Sequence, residues 1–240
     1  VGAGLVQIYT ASENRLALQE LLPEAIISCY DSYDDSQLSH LLDWADVVCI
    51  GCGLGMGQIS EKILKNVLKN VSCPCVIDAD GLNLLSRNIE LLNQCYAPVI
   101  LTPHMKEMSR LTGWSIDTIM QDRFQALDQI IKQSGPDTKS SIICVLKDSR
   151  TVVAQTNRQR FVNLAGNNSM AKGGSGDVLA GTIAGLLAQH MAPFEATTVG
   201  VFLHACGGDE AKKSKGSYSV LARDLIQGMA DAMKNAKECR

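Results

Sequence analysis

The residues best suited to chemistry fall in one stretch, Gly166-Asn167-Asn168-Ser169-Met170-Ala171-Lys172-Gly173-Gly174-Ser175-Gly176-Asp177. Glycine fills all but one position of Gly173-Gly174-Ser175-Gly176, and an apolar run from Val178 to Leu187 follows Asp177. This pattern predicts a side-chain-poor turn feeding a helix N-terminus. Unpaired amides and the positive end of the helix dipole would point into such a turn, which suits phosphate. Asp177 has two readings, a helix cap or a base beside the bound phosphate. Lys172 does not complete a Walker loop, because Ala171 stands where glycine is required and Gly173 where Ser or Thr is required.

Four other polar segments follow apolar, strand-like runs. Gly51-Cys52-Gly53-Leu54-Gly55-Met56-Gly57 misses the dinucleotide fingerprint by one residue, leaving either a ligand approaching bare backbone at Gly53 and Gly55 or a plain tight turn. In Asp78-Ala79-Asp80-Gly81-Leu82-Asn83, the acids can hold magnesium through water or cap the next helix. Thr102-Pro103-His104-Met105-Lys106-Glu107 places His104 at a strand exit, exposed in a cleft. Glu107 there either closes a capping box, the commoner outcome, or reaches a metal. Lys147-Asp148-Ser149-Arg150-Thr151 reads by itself as a hairpin turn.

The elements that must position these segments alternate. Strands are expected at Leu5 to Tyr9, Ala25 to Tyr30, Asp46 to Ile50, Cys75 to Asp78 and Pro98 to Leu101, with helices between them. One long helix is expected from Ser115 to Gln133, closed by Gly135-Pro136. Ser141 to Leu146, Thr151 to Gln155 and Arg160 to Val162 follow as successive strands of a mixed edge. Three helices close the chain, Asp177 to His190, Phe194 to Lys212 and Leu221 to Lys237, with Gly181 and Gly185 set for close approach to a neighbour. The fold class is therefore α/β, a central, mostly parallel sheet with helices on both faces, in a single domain. Ligands then bind beyond the carboxyl ends of the strands, where all five segments lie.

Composition narrows the function. The 240 residues carry a formal net charge of -3, so no basic surface for nucleic acid is expected. No apolar run is long enough for a membrane span, and no signal peptide opens the chain. The nine cysteines, among them Cys49, Cys75 and Cys144, suggest buried thiols in a reduced, cytoplasmic protein. Cys73-Pro74-Cys75 lacks the spacing of a thiolate metal site.

In order, Gly-Cys-Gly-Leu-Gly, Val-Ile-Asp-Ala-Asp-Gly-Leu-Asn, Leu-Thr-Pro-His-x-x-Glu-Met, Val-Leu-Lys-Asp and Asn-x-x-Met-Ala-x-Gly-Gly-Ser-Gly-Asp-Val-Leu-Ala-Gly closely resemble the ADP- or ATP-dependent NAD(P)H-hydrate dehydratases. These are members of the ribokinase-like superfamily, and the resemblance runs from Gly2 to about Leu225. It implies a three-layer ribokinase-like fold for residues 1–240, lacking the family's first strand and helix before Val1. Met105-Lys106 stands where the family usually has Pro-Gly, and Cys52 where it usually has proline.

The resemblance makes Asp177 the catalytic base, touching substrate. Gly53, Gly55 and His104 would contact the hydrated dinucleotide. Lys147, Asp148, Ser149, Arg150 and Thr151, with Gly173, Gly174, Ser175 and Gly176, would hold the adenine nucleotide. Asp78, Asn83, Glu107, Asn167 and Met170 are further candidates. The implied reaction phosphorylates the ring hydroxyl of hydrated NAD(P)H and eliminates phosphate, with ADP or ATP as co-substrate and Mg2+ through ligands the sequence does not identify. ADP is the favoured nucleotide, and a homo-oligomer, a tetramer, is expected. A vitamin-precursor kinase of the same superfamily and a non-catalytic nucleotide-binding module are the rival readings.

Overall fold

In the computed structural model, residues 1–133, 141–156 and 159–238 are described. The glycine-proline pair at 135 and 136 lies outside them. Eight strands and ten α-helices are present among the described residues. The order is β1 (Gln7–Ala11), α1 (Arg15–Leu21), β2 (Ile26–Tyr30), α2 (Asp35–Trp44), β3 (Val48–Ile50), α3 (Gln58–Asn70), β4 (Cys75–Ile77), α4 (Ala79–Leu85), β5 (Val99–Leu101), α5 (Met105–Thr112), α6 (Ile116–Gln121), α7 (Arg123–Gln133), β6 (Ile142–Leu146), β7 (Val152–Gln155), β8 (Arg160–Val162), α8 (Ser175–Leu187), α9 (Pro193–Ser219) and α10 (Ala222–Glu238).

The main sheet runs β3-β4-β5-β6-β7-β8. β3 to β6 are parallel, while β7 and β8 pair antiparallel as the mixed edge. β1 and β2 form a separate parallel pair, so the first two expected strands do not extend the main sheet. Both sheet faces are covered, and this explains why the central strands are apolar at every position rather than alternating. Cys75, Ile77, Leu101, Cys144 and Leu146 face the core formed with α2 to α7. Their neighbours Val76, Ile100, Ile143 and Val145 face Leu179 and Ile183 of α8 and Val201 of α9.

The long helix expected from Ser115 divides in two. Asp122 between α6 and α7 adopts an extended conformation (φ -144°, ψ 91°), and its carboxylate accepts the Gln125 amide at 2.9 Å, so it starts a helix. Ser115 caps α6 as expected, accepting from the Thr118 amide. The cysteines correct another expectation. Among the described cysteines only Cys75, Cys95 and Cys144 are buried, whereas Cys49 and Cys52 are exposed, and each of them is a free thiol.

Close helix approach also falls elsewhere than expected. A Cβ at Gly181 would meet nothing, and one at Gly185 would meet the Val1 side chain. The tight crossing joins α9 and α10, where a Cβ at Gly228 would overlap the Gly207 carbonyl oxygen. We expect Gly228→Ala to destabilise the fold by about 1–3 kcal/mol. Gly181→Ala, in an exposed helix interior, should be neutral or stabilising by up to about 1 kcal/mol. Urea unfolding of the two variants measures this contrast.

Candidate active site

The parallel strands end on one side, and an ion pair between buried Asp78 and partly exposed Lys147 ties those ends together. Asp78 follows β4 and is 1% exposed, and its Oδ1 accepts from Lys147 Nζ at 2.6 Å. Lys147 follows β6, and its amide donates to the Pro103 carbonyl oxygen, so it lies beside His104 at the end of β5. Asp78 sits at the α4 cap position but makes no capping hydrogen bond. Its carboxylate serves the lysine, not the helix.

The glycine loop lies against this pair. Gly174 caps α8 in the left-handed region (φ 84°), so the helix begins at Ser175, two residues before Asp177. That corrects the cap reading: Asp177 occupies the third helical position, exposed to solvent. Ser175 N–H donates to the Lys172 carbonyl and Val178 N–H to that of Gly174, which leaves the amides of Gly176 and Asp177 available to a ligand. A Cβ on Gly176 would stand 3.0 Å from Lys147 Nζ and 3.5 Å from Asp78 Oδ2, so the bare glycine backbone lets the helix end lie close against the pair.

The turn after β3 closes the other side. Gly51 has φ 122°, and a Cβ there would overlap the Asp78 carbonyl oxygen. Gly53 and Gly55 are also left-handed (φ 67° and 78°), and Asp80 Oδ2 accepts the Gly55 amide at 2.8 Å. Side-chain donor atoms of Cys52, Asp78 and Asp177 all lie within 4.8 Å of one another. The turn, the ion pair and the helix terminus therefore form one cleft wall. A polyanion would meet free amides, a lysine and one accessible carboxylate there.

A model of the NAD(P)H-hydrate dehydratase family matches residues 1–230. The chain belongs to the NAD(P)H-hydrate dehydratase family. An ADP-dependent (S)-NAD(P)H-hydrate dehydratase from Neisseria meningitidis is 35% identical over 222 residues, covering 90% of this chain and 73% of that protein. The ADP/ATP-dependent dehydratase of Bacillus subtilis, crystallised with ATP and Mg2+ and soaked with CoA, superposes with a TM-score of 0.81 at 28% identity, over 98% of this chain and 82% of that one. A ribokinase-like superfamily protein of Enterococcus faecalis gives 0.80 at 33% identity, over 97% and 78%. The fold is thus ribokinase-like. Against several bifunctional NAD(P)H-hydrate repair enzymes the chain spans only 35–44% of the relative's length.

The candidate residues of this dehydratase family member divide by place. Gly53, Gly55, Asp78, Lys147, Gly176 and Asp177 lie around the cleft wall just described. His104 is exposed as expected and caps α5 through Nδ1, which accepts from the amides of Lys106 and Glu107. Burial first, then nearby Lys147, lowers its pKa. Glu107 closes the capping box, its Oε2 accepting the His104 amide at 2.8 Å, so the box reading holds over the metal one.

Asp148, Ser149, Arg150 and Thr151 form the β6–β7 hairpin. Asp148 pairs with Arg123 at 2.7 Å, and Arg150 donates to the Leu164 carbonyl. Asn83 accepts from Arg110 and lines a surface hollow with Met56, Ser86 and Arg87. Asn167 and Met170 shape the loop from behind: Asn167 Nδ2 donates to Asp209, and Met170 packs over Gly208. Gly173 is exposed.

Sequence reading missed the partners. Asp209 anchors the loop through Gly166 and Asn167. His204, 8% exposed, lies 3.4 Å from Ser175 Oγ through Nε2. The strand order would have revealed the Asp78–Lys147 pair, since both end strands flanking β5; nothing local marks His204 or Asp209, which reach the loop from α9.

Two outcomes follow. Lys147→Met strands the buried Asp78 charge and should cost about 3–5 kcal/mol of stability, with Asp78→Asn/Lys147→Met recovering part of it in urea unfolding. Burial depresses the His204 pKa from 6.5 to about 4. The unfolded histidine takes its proton first as pH falls, so native stability should drop between pH 6.5 and 4 and stay level above. His204→Gln should flatten that slope of unfolding free energy against pH.

Proposed function

We propose that the protein carries out nucleotide-dependent dehydration of hydrated NAD(P)H. The observation that carries this reading is the accessible Asp177 carboxylate in the first turn of α8, beside two unpartnered amides and the Lys147–Asp78 pair. The stand-alone relatives named as ADP-dependent (S)-NAD(P)H-hydrate dehydratases support it, as they are covered over 73% and 81% of their length.

Hydroxide is a poor leaving group and phosphate a good one. Asp177 accepts the proton of the ring hydroxyl as the oxygen attacks the terminal phosphorus of the nucleotide. The amides of Gly176 and Asp177 and the Lys147 ammonium stabilise charge gathering on the phosphoryl oxygens. The bond to the shortened nucleotide breaks, leaving a phosphate ester on the ring. The ring nitrogen lone pair then expels phosphate, and loss of a proton from the adjacent carbon restores the reduced nicotinamide. Nearly all of this is positioning and electrostatics.

ADP or ATP serves as co-substrate, with ADP favoured by the stand-alone relatives' names. Mg2+ is a hard cation that takes oxygen ligands, and the carboxylates of Asp78 and Asp177 fit it whereas the Cys52 thiol does not. When bound, it neutralises charge on the nucleotide phosphates. His104, Gly53 and Gly55 border the cleft where the hydrated ring would sit, and the hairpin from Lys147 to Thr151 would receive the adenosine end. The free thiols suit a reducing, cytoplasmic setting, and no helix among the described residues is long and apolar enough to cross a membrane. The homo-oligomer is part of the same proposal.

Asp177→Asn should leave nucleotide affinity nearly unchanged and reduce recovery of the reduced-nicotinamide absorbance from hydrated NADH by about 10²-fold or more. Undiminished recovery would remove Asp177 from the chemistry. A stable phosphorylated product without absorbance recovery would favour a kinase.

A further inference from the structure

Two arginines from different elements face one hollow. Arg87 follows α4 and Arg110 lies on α5, and with Met56, Asn83 and Ser86 they line a depression of about 330 Å³. Among the described residues no salt bridge engages either guanidinium. Arg110 Nη1 donates to Asn83 Oδ1 at 2.6 Å, which orients the guanidinium and leaves its other N–H groups available. Two like charges on one concave surface repel each other, and an anion between them would turn that repulsion into binding.

The hollow continues both walls of the cleft. Met56 directly follows Gly55, whose amide Asp80 holds at 2.8 Å. Asn83 stands three residues beyond Asp80, on the same side of α4. Arg110 stands six residues beyond His104, a rise of about 9 Å along α5.

We propose that this hollow is a phosphate subsite for the hydrated dinucleotide, with Arg110 and Arg87 gripping the anion and Asn83 orienting Arg110. The proposal rests on the reading of the cleft as the seat of the hydrated ring. With that ring beside Asp177 and His104, the ribose and phosphates still need partners, and the nearest unpaired cations along α4 and α5 are these two. Arginine suits the task because its planar fork meets two phosphate oxygens at once. The phosphate has two possible sources, the diphosphate common to both hydrates and the additional 2′-phosphate of the NADPH form. The adenine nucleotide is served at the α8 terminus instead, so its affinity should not depend on the hollow.

The test combines steady-state repair of hydrated NADH and hydrated NADPH at saturating ADP with direct titration of each hydrate in the absence of nucleotide. Arg87→Gln and Arg110→Gln should each raise KM and Kd for a hydrate by roughly tenfold or more, the range for a lost hydrogen bond to a charged group. The fall in kcat should be far smaller, and the KM for ADP should not move. An equal loss on both hydrates would support the subsite as one for the diphosphate, and a loss confined to hydrated NADPH as one for the 2′-phosphate. The hydrate of reduced nicotinamide riboside, which carries no phosphate, should be indifferent to both substitutions. Lys69→Gln, at an exposed cation on α3, should behave as the parent chain does. Unaltered affinity of Arg87→Gln/Arg110→Gln for both hydrates would overturn the subsite and leave the proposed function standing, as would an equal loss on the riboside. Arginine-dependent binding without turnover in the parent chain would do the reverse. Failure of the parent chain to bind either hydrate would overturn both.

Discussion

The pairing of Lys147 with Asp78 is the constraint on which the rest of the site depends. A carboxylate that is 1% exposed cannot remain charged unless a cation meets it, and the cation comes from a strand two positions away in the sheet. The contact spans the end of β5 and fixes the ends of three strands relative to one another. It is costly to bury, and hydrophobic residues of similar shape would serve stability as well or better. Its placement against the Gly176 backbone is what distinguishes it from a structural pair: a fixed positive charge stands where the α8 terminus would hold phosphate.

Much of this was legible in the sequence, because the sheet is built from continuous apolar runs whose ends carry polar motifs. β6, β7 and β8 fall within the limits read from the sequence, and the polar segments do gather at the carboxyl ends of the strands. The sequence failed where tertiary contacts override local pattern. Asp122 splits a helix that periodicity joins, because its side chain caps the second half. Gly181 and Gly185 look like a packing seam, yet the seam is Gly207 against Gly228, on helices whose register only the fold determines. Cys49 looks buried within a strand-like run but lies on the sheet's edge strand, where it is exposed. Within the site, a motif residue was recognisable but its partner was not, since Asp80 reaches back to the Gly55 amide and Asp209 supports the loop across more than forty residues of chain.

The two carboxylates of the cleft show how environment assigns roles to identical side chains. Asp78 is enclosed and matched by Lys147, so its charge is a fixed part of the wall. Asp177 is exposed, is held by no salt bridge among the described residues, and lies at the positive end of α8. A carboxylate beside an incoming phosphate ordinarily repels it by Coulomb's law. Under the proposed function the helix terminus and Lys147 would offset that repulsion, while Asp177 stays accessible to solvent. Exchanging the two environments would fail on both counts, since a lysine-paired carboxylate that is 1% exposed is shielded from an incoming hydroxyl and an unpaired acid inside the wall would carry an uncompensated buried charge. The left-handed Gly174 makes the arrangement possible: by starting the helix at Ser175, it moves Asp177 off the cap position, where its oxygens would be consumed by backbone amides, and onto the first turn facing the cleft.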